Sequence, residues 1–427
     1  MSHPTNSSGP THTEHVVDVL IAGGGLAGMT MALAAARAGL RAAVVERQAP
    51  SVLQSPTFDG RTSAISYGSA RIFEGIGVWS AMAGDAEPIL DIRVADGNLS
   101  EGASPLFLHY DHRELAPDAV ITPDAPFGYI LENRMMRTAL GEAAERSEKV
   151  DLLAPAVLSS VERTSFGVLG ELGDGRRVKA ALVIGADGRN SALRQAAGIA
   201  VTDFRYPQTS IVCTVAHERA HNGVAVELFL PGGPFAMLPL NGNRTNVVWS
   251  EKPALVDSLM ALDDDAFLEE LSRRFGDWLG DLTLTGPRYA YPLGLLHAER
   301  YTDRRLALIG DAAHAIHPIA GQGFNMGLRD IAALAEAMVD AQRLGLDIGD
   351  AAVLARYERW RRFDNTLLAT VTDGLTRLFS NDIAPVRLAR DIGLAGVGKL
   401  PPLKRLFMRH AMGVVGTLPR LVKGEPL

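Results

Sequence analysis

The first clear pattern of apolar and polar positions lies near the N-terminus and is that of a strand, a turn, a helix and a second strand. Residues 16–22 form an apolar run, and glycines follow at 23–25. An Ala-rich stretch continues to Ala38, and Gly39 stands where a helix cap favours glycine. Residues 41–45 form a second apolar run. The pattern predicts a βαβ unit, in which a helix joins two parallel strands.

The turn of this unit has the glycine spacing of a phosphate-binding loop. Gly23 permits the tight turn, Gly25 lets a pyrophosphate approach the helix N-terminus, and Gly28 lets helix and strand pack closely. Glu46 ends the second strand, where a carboxylate can accept hydrogen bonds from an adenosine ribose. A plain glycine-rich turn is the alternative, but it does not explain the strand, helix and acid together. The predicted dinucleotide-binding residues are Gly23, Gly25, Leu26, Ala27, Gly28, Glu46 and Arg47.

Two later segments again place an acid after an apolar strand. In the stretch VKAALVIGADGRNSALR, Asp187 follows the strand and a helix starts soon afterwards. The strand at 305–309 ends in Gly310-Asp311 and leads into the loop AAHAIHPIAGQGFN. Between these segments, residues 201–300 alternate apolar and polar positions and are interrupted by PGGP and NGN, which is typical of antiparallel strands and hairpins.

Composition and charge narrow the functional classes. The chain has 427 residues, 47% of them hydrophobic, so it can bury a full core. Its formal net charge of -7 argues against general nucleic-acid binding. The single cysteine, Cys213, excludes an internal disulfide and favours a reducing cytoplasmic location. Residues 1–15 lack the pattern of a signal peptide and are predicted to be a disordered tail.

The chain contains three motifs in a fixed order: GGGLAG with Glu46, GADGRNSALR and GDAAHAIHPIAGQGFNMGLRD. In this order and spacing they resemble the motifs of the FAD-dependent aromatic hydroxylases of the para-hydroxybenzoate hydroxylase fold. The stretches FDGRTSAIS, GYILENRMMRTAL and GPFAMLPL are similar to those of ubiquinone-biosynthesis hydroxylases in particular. The resemblance implies a class A flavin monooxygenase. In such enzymes NAD(P)H reduces FAD, O2 forms a flavin C4a-hydroperoxide, and one oxygen atom is transferred to a phenolic ring, here expected to be a polyprenyl-phenol.

The resemblance also implies a fold class and a domain plan. It is an α/β protein whose Rossmann-like FAD-binding domain contains an inserted antiparallel-sheet substrate domain and is followed by a C-terminal helical region. The FAD-binding domain is expected at 16–200 and 300–345, and the helices at 346–427. The substrate sheet is expected at 201–299, with a contribution from 80–125.

By the same resemblance, Asp311 contacts the ribityl chain and the following loop wraps the isoalloxazine ring. Pro318 bends this loop, Gly321 and Gly323 allow the ring to approach, and a helix starting between Gly323 and Asn325 directs its positive end at the reduced flavin. Pro318 and Gly321 are therefore the predicted catalytic-loop residues. The remaining cofactor residues that the resemblance implies are Arg61, Arg134, Val157, Asp187, Gly310, Asp311, Gln322, Gly323 and Asn325.

Several residues keep a structural alternative. Arg61 and Arg134 are also consistent with surface arginines, and Asp187 with a helix cap. His314 and His317 invite a metal site, but no clear set of further ligands accompanies them, so no metal is predicted. The candidate substrate-wall residues, each equally consistent with ordinary core packing, are Phe229, Phe235, Leu238 and Pro239.

Two other functions remain open from the sequence. A flavin-dependent reductase, or another aromatic hydroxylase, would share these motifs, whereas a halogenase would be expected to carry a WxWxIP element that the dispersed tryptophans do not supply. A prenyl-binding escort protein is disfavoured by the intact flavin loop. The ring position and the choice between NADH and NADPH are not encoded in any motif.

The C-terminal segment suggests a membrane surface. Residues 386–427 carry eight Lys or Arg and two Asp or Glu, and apolar residues recur at helical spacing among Lys404, Arg405 and Arg409. An amphipathic helix packed on the protein's own core is the alternative. Because a polyprenyl tail would stay in lipid, the expected location is cytoplasmic with peripheral contact at the inner membrane. Self-association and other ubiquinone-pathway proteins are the further expected contacts.

Overall fold

The computed structural model describes residues 14–98, 102–105, 107–379, 390, 393 and 396–427. Most of the predicted N-terminal tail, residues 1–13, and part of the basic C-terminal segment lie outside these ranges. In chain order the helices are α1 (Leu26–Arg37), α2 (Pro50–Leu53), α3 (Tyr67–Gly75), α4 (Asn133–Glu145), α5 (Ala192–Ala196), α6 (Pro253–Met260), α7 (Asp264–Phe275), α8 (Gln322–Arg343), α9 (Ala351–Phe379), α10 (Pro401–Ala411) and α11 (Arg420–Lys423).

The strands form four sheets. In chain order they are β1 (Glu14–Val16), β2 (Val19–Ala22), β3 (Ala42–Val45), β4 (Thr62–Ser66), β5 (Glu87–Ile89), β6 (Asp91–Asn98), β7 (Gly102–Ala103), β8 (Leu108–Asp111), β9 (Gly128–Glu132), β10 (Val150–Leu153), β11 (Leu158–Arg163), β12 (Val168–Leu172), β13 (Arg177–Ala180), β14 (Leu182–Gly185), β15 (Val201–His217), β16 (Val224–Leu230), β17 (Gly233–Leu240), β18 (Arg244–Glu251), β19 (Leu282–Leu284), β20 (Tyr289–Ala298), β21 (Thr302–Asp303), β22 (Leu306–Leu308) and β23 (His314–Ala315).

A six-stranded sheet in the order β10-β3-β2-β14-β22-β21 supports the nucleotide motifs. Its strands pair in parallel except at the β21–β22 edge. Every residue of β2, β3 and β14 is buried, which explains their continuous apolar runs. The predicted first strand is divided in the structure. Residues 14–16 pair with β13 in a separate sheet, and β2 begins only at Val19, so Glu14 and His15 are in a strand rather than in a tail.

A second, ten-stranded sheet is mainly antiparallel, and β6 joins it in parallel beside β16. Its two faces have different neighbours because side chains alternate along each strand. The outer face packs on α6 and α7 around Trp249 and Phe267. We call the opposite side the inner face; it is directed at the nucleotide-binding layer, and Asn246 on it donates to the carbonyl oxygen of Gly60 at 3.2 Å. The substrate site is expected on this face.

The C-terminal helices pack on both layers. α8 is buried along most of its length, and α9 follows it in an antiparallel hairpin. Met408 of α10 and Met412 just beyond it are fully buried with Tyr110 and Phe127. Within the described ranges, no helix has the length and apolar character required to cross a membrane.

Candidate active site

The three glycine-containing motifs meet at one edge of the six-stranded sheet. β2, β14 and β22 are parallel neighbours, so the loops after them leave the same edge. A Cβ atom on Gly23 would lie 2.4 Å from the backbone oxygen of Ala186, and one on Gly310 would lie 3.6 Å from the Cβ of Ala27. The first motif therefore touches both of the others. Ligands of open α/β sheets bind at this carboxyl edge.

The first motif has the shape that a pyrophosphate requires. Gly23 has a φ of +102°, and a Cβ on Gly28 would lie 1.9 Å from the Gly23 carbonyl oxygen. In contrast, a Cβ on Gly25 would have no neighbour within 4 Å. Gly25 is also the N-cap of α1, with no side chain capping the helix. The first turn of α1, with Leu26 and Ala27, thus directs free amides into open space, and the residues fit a dinucleotide phosphate.

Glu46, which was predicted to contact a ribose, also stabilises the glycine turn. Its Oε2 accepts a hydrogen bond from the Gly24 amide at 2.7 Å, and its Oε1 accepts one from the Gln48 amide at 2.8 Å. Each carboxylate oxygen retains a further lone pair that a ribose hydroxyl can use. The neighbouring Arg47 is exposed. Glu46 therefore holds the glycine turn in addition to its predicted ribose contact.

Asp187 of the second motif has the contacts of its structural alternative, a helix cap. Its Oδ2 accepts from the Ala192 amide at 2.8 Å and from the Leu193 amide at 3.3 Å, which caps α5. Its Oδ1 is buried and has no hydrogen-bond partner among the described residues. Arg194 is buried behind it and donates to the carbonyl oxygen of Ala312 at 2.8 Å, which joins the second motif to the third. The free Oδ1 is consistent with a ligand contact.

The third-motif loop, residues 310–323, forms the floor of the site. Asp311 is exposed to solvent, but the protein around its carboxyl group partly desolvates this group and so raises its pKa. Gly321 has a φ of +60° and donates to the carbonyl oxygen of Pro318 at 2.9 Å. α8 then begins at Gln322, slightly earlier than predicted. A Cβ on Gly323 would find its nearest neighbour only at 4.0 Å, so a planar ring can approach the positive end of α8.

Two predicted cofactor residues in this loop are buried, and their roles at the cofactor stay predictions. Asn325 accepts from the Ser66 amide at 2.9 Å and donates to the carbonyl oxygens of Ala64 at 2.8 Å and Gly321 at 2.9 Å. These bonds use both ends of its amide, so Asn325 fastens the loop to β4 and its side chain has no donor left for a flavin. Gln322 is also buried. The sequence indicated a ligand role because it placed both residues beside the glycines.

Three further predicted residues are already engaged elsewhere. Arg61 is half exposed and pairs with Asp59 at 2.9 Å. Arg134 donates to buried Glu132 at 2.6 Å. The side chain of Val157 is exposed, and its carbonyl oxygen accepts from the amide of residue 173 at 2.9 Å. Arg61 thus fits the alternative of a surface arginine, whereas Arg134 is mostly covered and pairs with a buried carboxylate. The roles of both at the cofactor stay predictions.

A buried ionic cluster behind the loop was missed by the sequence analysis. Asp330 is fully buried, and its Oδ2 lies 2.5 Å from Nε2 of His314 and 3.2 Å from the Gly310 amide. Its Oδ1 accepts from Arg361 Nε at 3.1 Å and from Asn365 at 3.0 Å. Burial alone would raise the pKa of Asp330, but its partners outweigh this and lower it to about 2. The cluster holds the Gly310 turn against α9.

The four candidate substrate residues divide between the two faces of the sheet. Phe229 lies on the inner face and packs against Ile319 of the third-motif loop. Leu238 is partly buried on the same face. Phe235 is fully buried on the outer face against Trp249, and Pro239 has the same alternation as Phe235. The prediction was therefore wrong for Phe235, which is core.

Beside the contact of Phe229 with Ile319, part of the inner face is left uncovered next to the third-motif loop, and we call this space the inner cleft. Val94, Val212, Leu238 and Val248 belong to interior strands, yet each is only partly buried. A groove of about 330 Å³ lies on the outer face between the sheet and α7, away from the loop. The inner cleft, in contrast, combines an apolar wall with the glycine-lined end of α8. It can therefore hold an apolar ring beside a flavin.

The comparisons with known proteins agree with this geometry. Residues 16–363 match a family model described as FAD binding domain. The chain is 51% identical to ubiquinone hydroxylase UbiL of Rhodospirillum rubrum over 99% of its own length and 97% of that protein. It is 35% identical to 3-demethoxyubiquinol 3-hydroxylase of Escherichia coli, over 94% and 100% of the two chains.

A solved structure with the same fold is that of p-nitrophenol 4-monooxygenase PnpA from Pseudomonas putida. It superposes with a TM-score of 0.76 at 19% identity, over 94% of this chain and 100% of that one. The para-hydroxybenzoate hydroxylase type of fold is thereby confirmed. The protein belongs to the FAD-dependent ubiquinone hydroxylase family of class A flavin monooxygenases.

Proposed function

We propose that this protein hydroxylates the phenolic ring of a polyprenylated ubiquinone precursor, with NAD(P)H and O2 as co-substrates. The observation that carries the proposal is the packing of Phe229 on Ile319, which brings the substrate sheet directly onto the third-motif loop. The relatives named as ubiquinone hydroxylases support the substrate class. Of these two names, the second states a ring position and the first does not, so the proposal does not fix the ring carbon.

The residues of the chain have three tasks in this reaction. FAD, when bound, supplies the redox chemistry that activates O2 with electrons from NAD(P)H. The amides at the start of α1 and the Glu46 carboxylate would hold its pyrophosphate and ribose. The positive end of α8 beside Gly323 would stabilise negative charge on the reduced ring. The apolar inner face would orient the substrate ring and exclude water from the reacting atoms.

Isotope labelling tests the proposed reaction. The purified protein should release FAD on denaturation, because nothing in the family resemblance implies a covalent link. With NAD(P)H, ¹⁸O2 and a short-chain prenylphenol, mass spectrometry should detect a product that contains one ¹⁸O atom. A flavin reductase would instead oxidise NAD(P)H without adding labelled oxygen to the ring, and that result would refute the proposal. Accumulated intermediates in a deletion strain would then identify the ring position.

We further propose peripheral contact with an anionic membrane. The side chains of Leu406 and Phe407 on α10 are 50% and 44% exposed. Apolar side chains on a helix surface can enter the interfacial region of a bilayer, and a polyprenyl tail would remain in lipid there. The charge pattern differs from the sequence prediction. Lys404 pairs with Glu114 and Arg409 pairs with Asp118, so of the three predicted membrane-facing cations, Arg405 is the one outside these ion pairs.

Vesicle co-sedimentation can test this contact with a matched control. Leu406→Ser with Phe407→Ser should lower the fraction bound to phosphatidylglycerol vesicles, and Arg405→Glu should make binding weaker and less dependent on salt. Phe166 is 94% exposed on a hairpin of the nucleotide-binding layer, so Phe166→Ser should leave binding unchanged. Equal binding of all four proteins, or no binding by the unmodified protein, would contradict the proposal.

A further inference from the structure

Glu227 is an acidic residue on the apolar inner face of the substrate sheet. It lies in the middle of β16, where it is paired in register with Ala236 of β17 and Val94 of β6. Its neighbours in sequence, Val226 and Leu228, belong to the outer-face core. Because side chains alternate along a strand, the Glu227 carboxylate is directed into the cleft.

The position of Glu227 along β16 places it close to the reacting end of the cleft. Phe229, two residues further on the same face, packs on Ile319 of the third-motif loop. A side chain on a strand lies about 7 Å from the second next one on the same face. A phenol ring bound in the inner cleft beside this contact would therefore come within reach of Glu227.

The Glu227 carboxylate has no polar partner in the part of the chain that the structure describes. Among the described residues, none forms a hydrogen bond or an ion pair with the Glu227 side chain, although that side chain is partly buried. A carboxylate enclosed in this way gains considerably from a donor. Its cross-strand neighbours, Ala236 and Val94, offer none, so the missing donor would have to come from a ligand or from water.

Resting on the proposed function, we propose that Glu227 is a catalytic residue that accepts the phenolic hydroxyl of the substrate and acts as its general base. In this step the phenolic O–H bond breaks, its electron pair stays on the phenolic oxygen, and a new O–H bond forms on the carboxylate. No oxidant or reductant is consumed. The phenolate character gained by the ring makes its carbon atoms more electron-rich, which is what an electrophilic oxygen requires. The proton returns to solvent when product leaves the cleft.

The environment of Glu227 suits this role. Burial raises the pKa of Glu227 to about 7. A free phenol has a pKa of about 10, so burial reduces the difference between the pKa of the phenol and the pKa of the glutamate that accepts its proton. The other ionisable groups on elements packed at this part of the cleft are poor candidates for the base, because they are held in an ion pair or have a low pKa. Asp96 pairs with Arg390 at 2.7 Å, and burial lowers the pKa of His317 to about 4, with a small opposing effect of Asp373.

A pair of matched ligands isolates the proposed hydrogen bond. Binding of para-pentylphenol and of para-pentylanisole to the FAD-loaded protein can be measured by titration calorimetry. The anisole carries a methyl group in place of the hydroxyl proton that Glu227 would accept. We expect the unmodified protein to bind the phenol about tenfold more tightly, and Glu227→Gln to reduce this preference to about twofold or less. Glu162→Gln makes the same change on the exposed strand β11 and should keep the full preference.

The pH dependence of the reaction provides the second readout. For the unmodified protein, kcat/KM for the phenol should rise as the pH increases through about 7, because the base must be ionised. Glu227→Gln should lose this rise while retaining its FAD content, and Glu227→Asp, which keeps a carboxylate, should restore part of it. FAD content and circular dichroism identify a variant that fails to fold.

The outcomes separate this proposal from the proposed function. If Glu227→Gln retains both the preference for phenol and the pH-dependent rise, Glu227 is not the base, whatever the reaction. If the unmodified protein hydroxylates the prenylphenol but binds phenol and anisole equally, the Glu227 proposal is refuted and the function stands. If no labelled oxygen enters any phenol, the proposed function fails even when Glu227 governs phenol binding.

Discussion

Replacing Asp330 with Asn tests whether the buried cluster supports the flavin loop. The substitution keeps the size of the side chain but removes its charge. It also replaces one acceptor oxygen with a donor that faces His314 and the Gly310 amide, or Arg361 and Asn365, all of which donate in the native protein. Arg361 is also fully buried, and the ion pair left to it would be the one with Asp364, which is about one-third exposed.

The expected loss follows from that burial. Removing one partner of a buried ion pair costs about 3–5 kcal/mol, because the other charge stays out of water. The same helix offers a control in Asp340, which pairs with Arg356 at 2.8 Å and with Arg420 but is about one-third exposed. Asp340→Asn should cost less than about 1 kcal/mol, since solvent screens an exposed pair. We expect the two variants to differ by at least about 2 kcal/mol.

Guanidinium unfolding measured by circular dichroism, together with FAD retention, can check this difference. The pKa of Asp330 is lowered to about 2 in the folded protein, against about 3.9 for an unperturbed aspartate. Its contribution is therefore present above about pH 4 and is lost as the pH falls from 4 towards 2. Asp330→Asn should also weaken FAD binding, because the Gly310 turn loses its anchor. Equal stability of the two variants at pH 7 would show that the cluster does not hold the loop.

Three further predictions concern single positions. Glu46→Ala should weaken FAD binding about tenfold or more in equilibrium titrations, with unchanged product formed per NAD(P)H oxidised, since the carboxylate is far from the ring. Gly323→Val should instead lower product per NAD(P)H with a smaller effect on FAD affinity, and identical defects in both variants would contradict this division of roles. Burial raises the pKa of Cys213 to about 12, so iodoacetamide should label it only after denaturation, and rapid labelling of the native protein would contradict its burial.

The parts of the site that the sequence could predict are those set by local backbone geometry. Gly23, Gly25 and Gly28 act through conformation and through the absence of a side chain, and both properties are visible in a short motif. The strand, turn and helix order around them also follows from local patterns. The start of α8 was displaced by only a few residues, because Gly321 and not Gly323 is the residue with positive φ.

The sequence does not show on which face of the sheet a residue lies relative to the cofactor, or which residues form ion pairs. Phe235 and Leu238 both belong to the apolar segment GPFAMLPL, and alternation separates them into two faces without showing which face meets the cofactor. That depends on the packing of α6 and α7, whose residues follow later in the chain. Likewise, Lys404 appeared free for a membrane because its partner, Glu114, lies 290 positions away. Ion pairs of this separation leave no trace in a helical pattern.

The sequence does contain a signal for the buried Asp330 cluster. The segment GLRDIAALAEAMV places Arg329 and Asp330 inside an otherwise apolar helical run, and a charged pair at such a position must be compensated when the helix is buried. The sequence pattern around the nearby His314 suggested only a metal ligand. Treating it as the partner of a buried acid would have linked the motif to α8 by charge balance alone. The link to Arg361 needed the structure, since it depends on how α9 returns along α8.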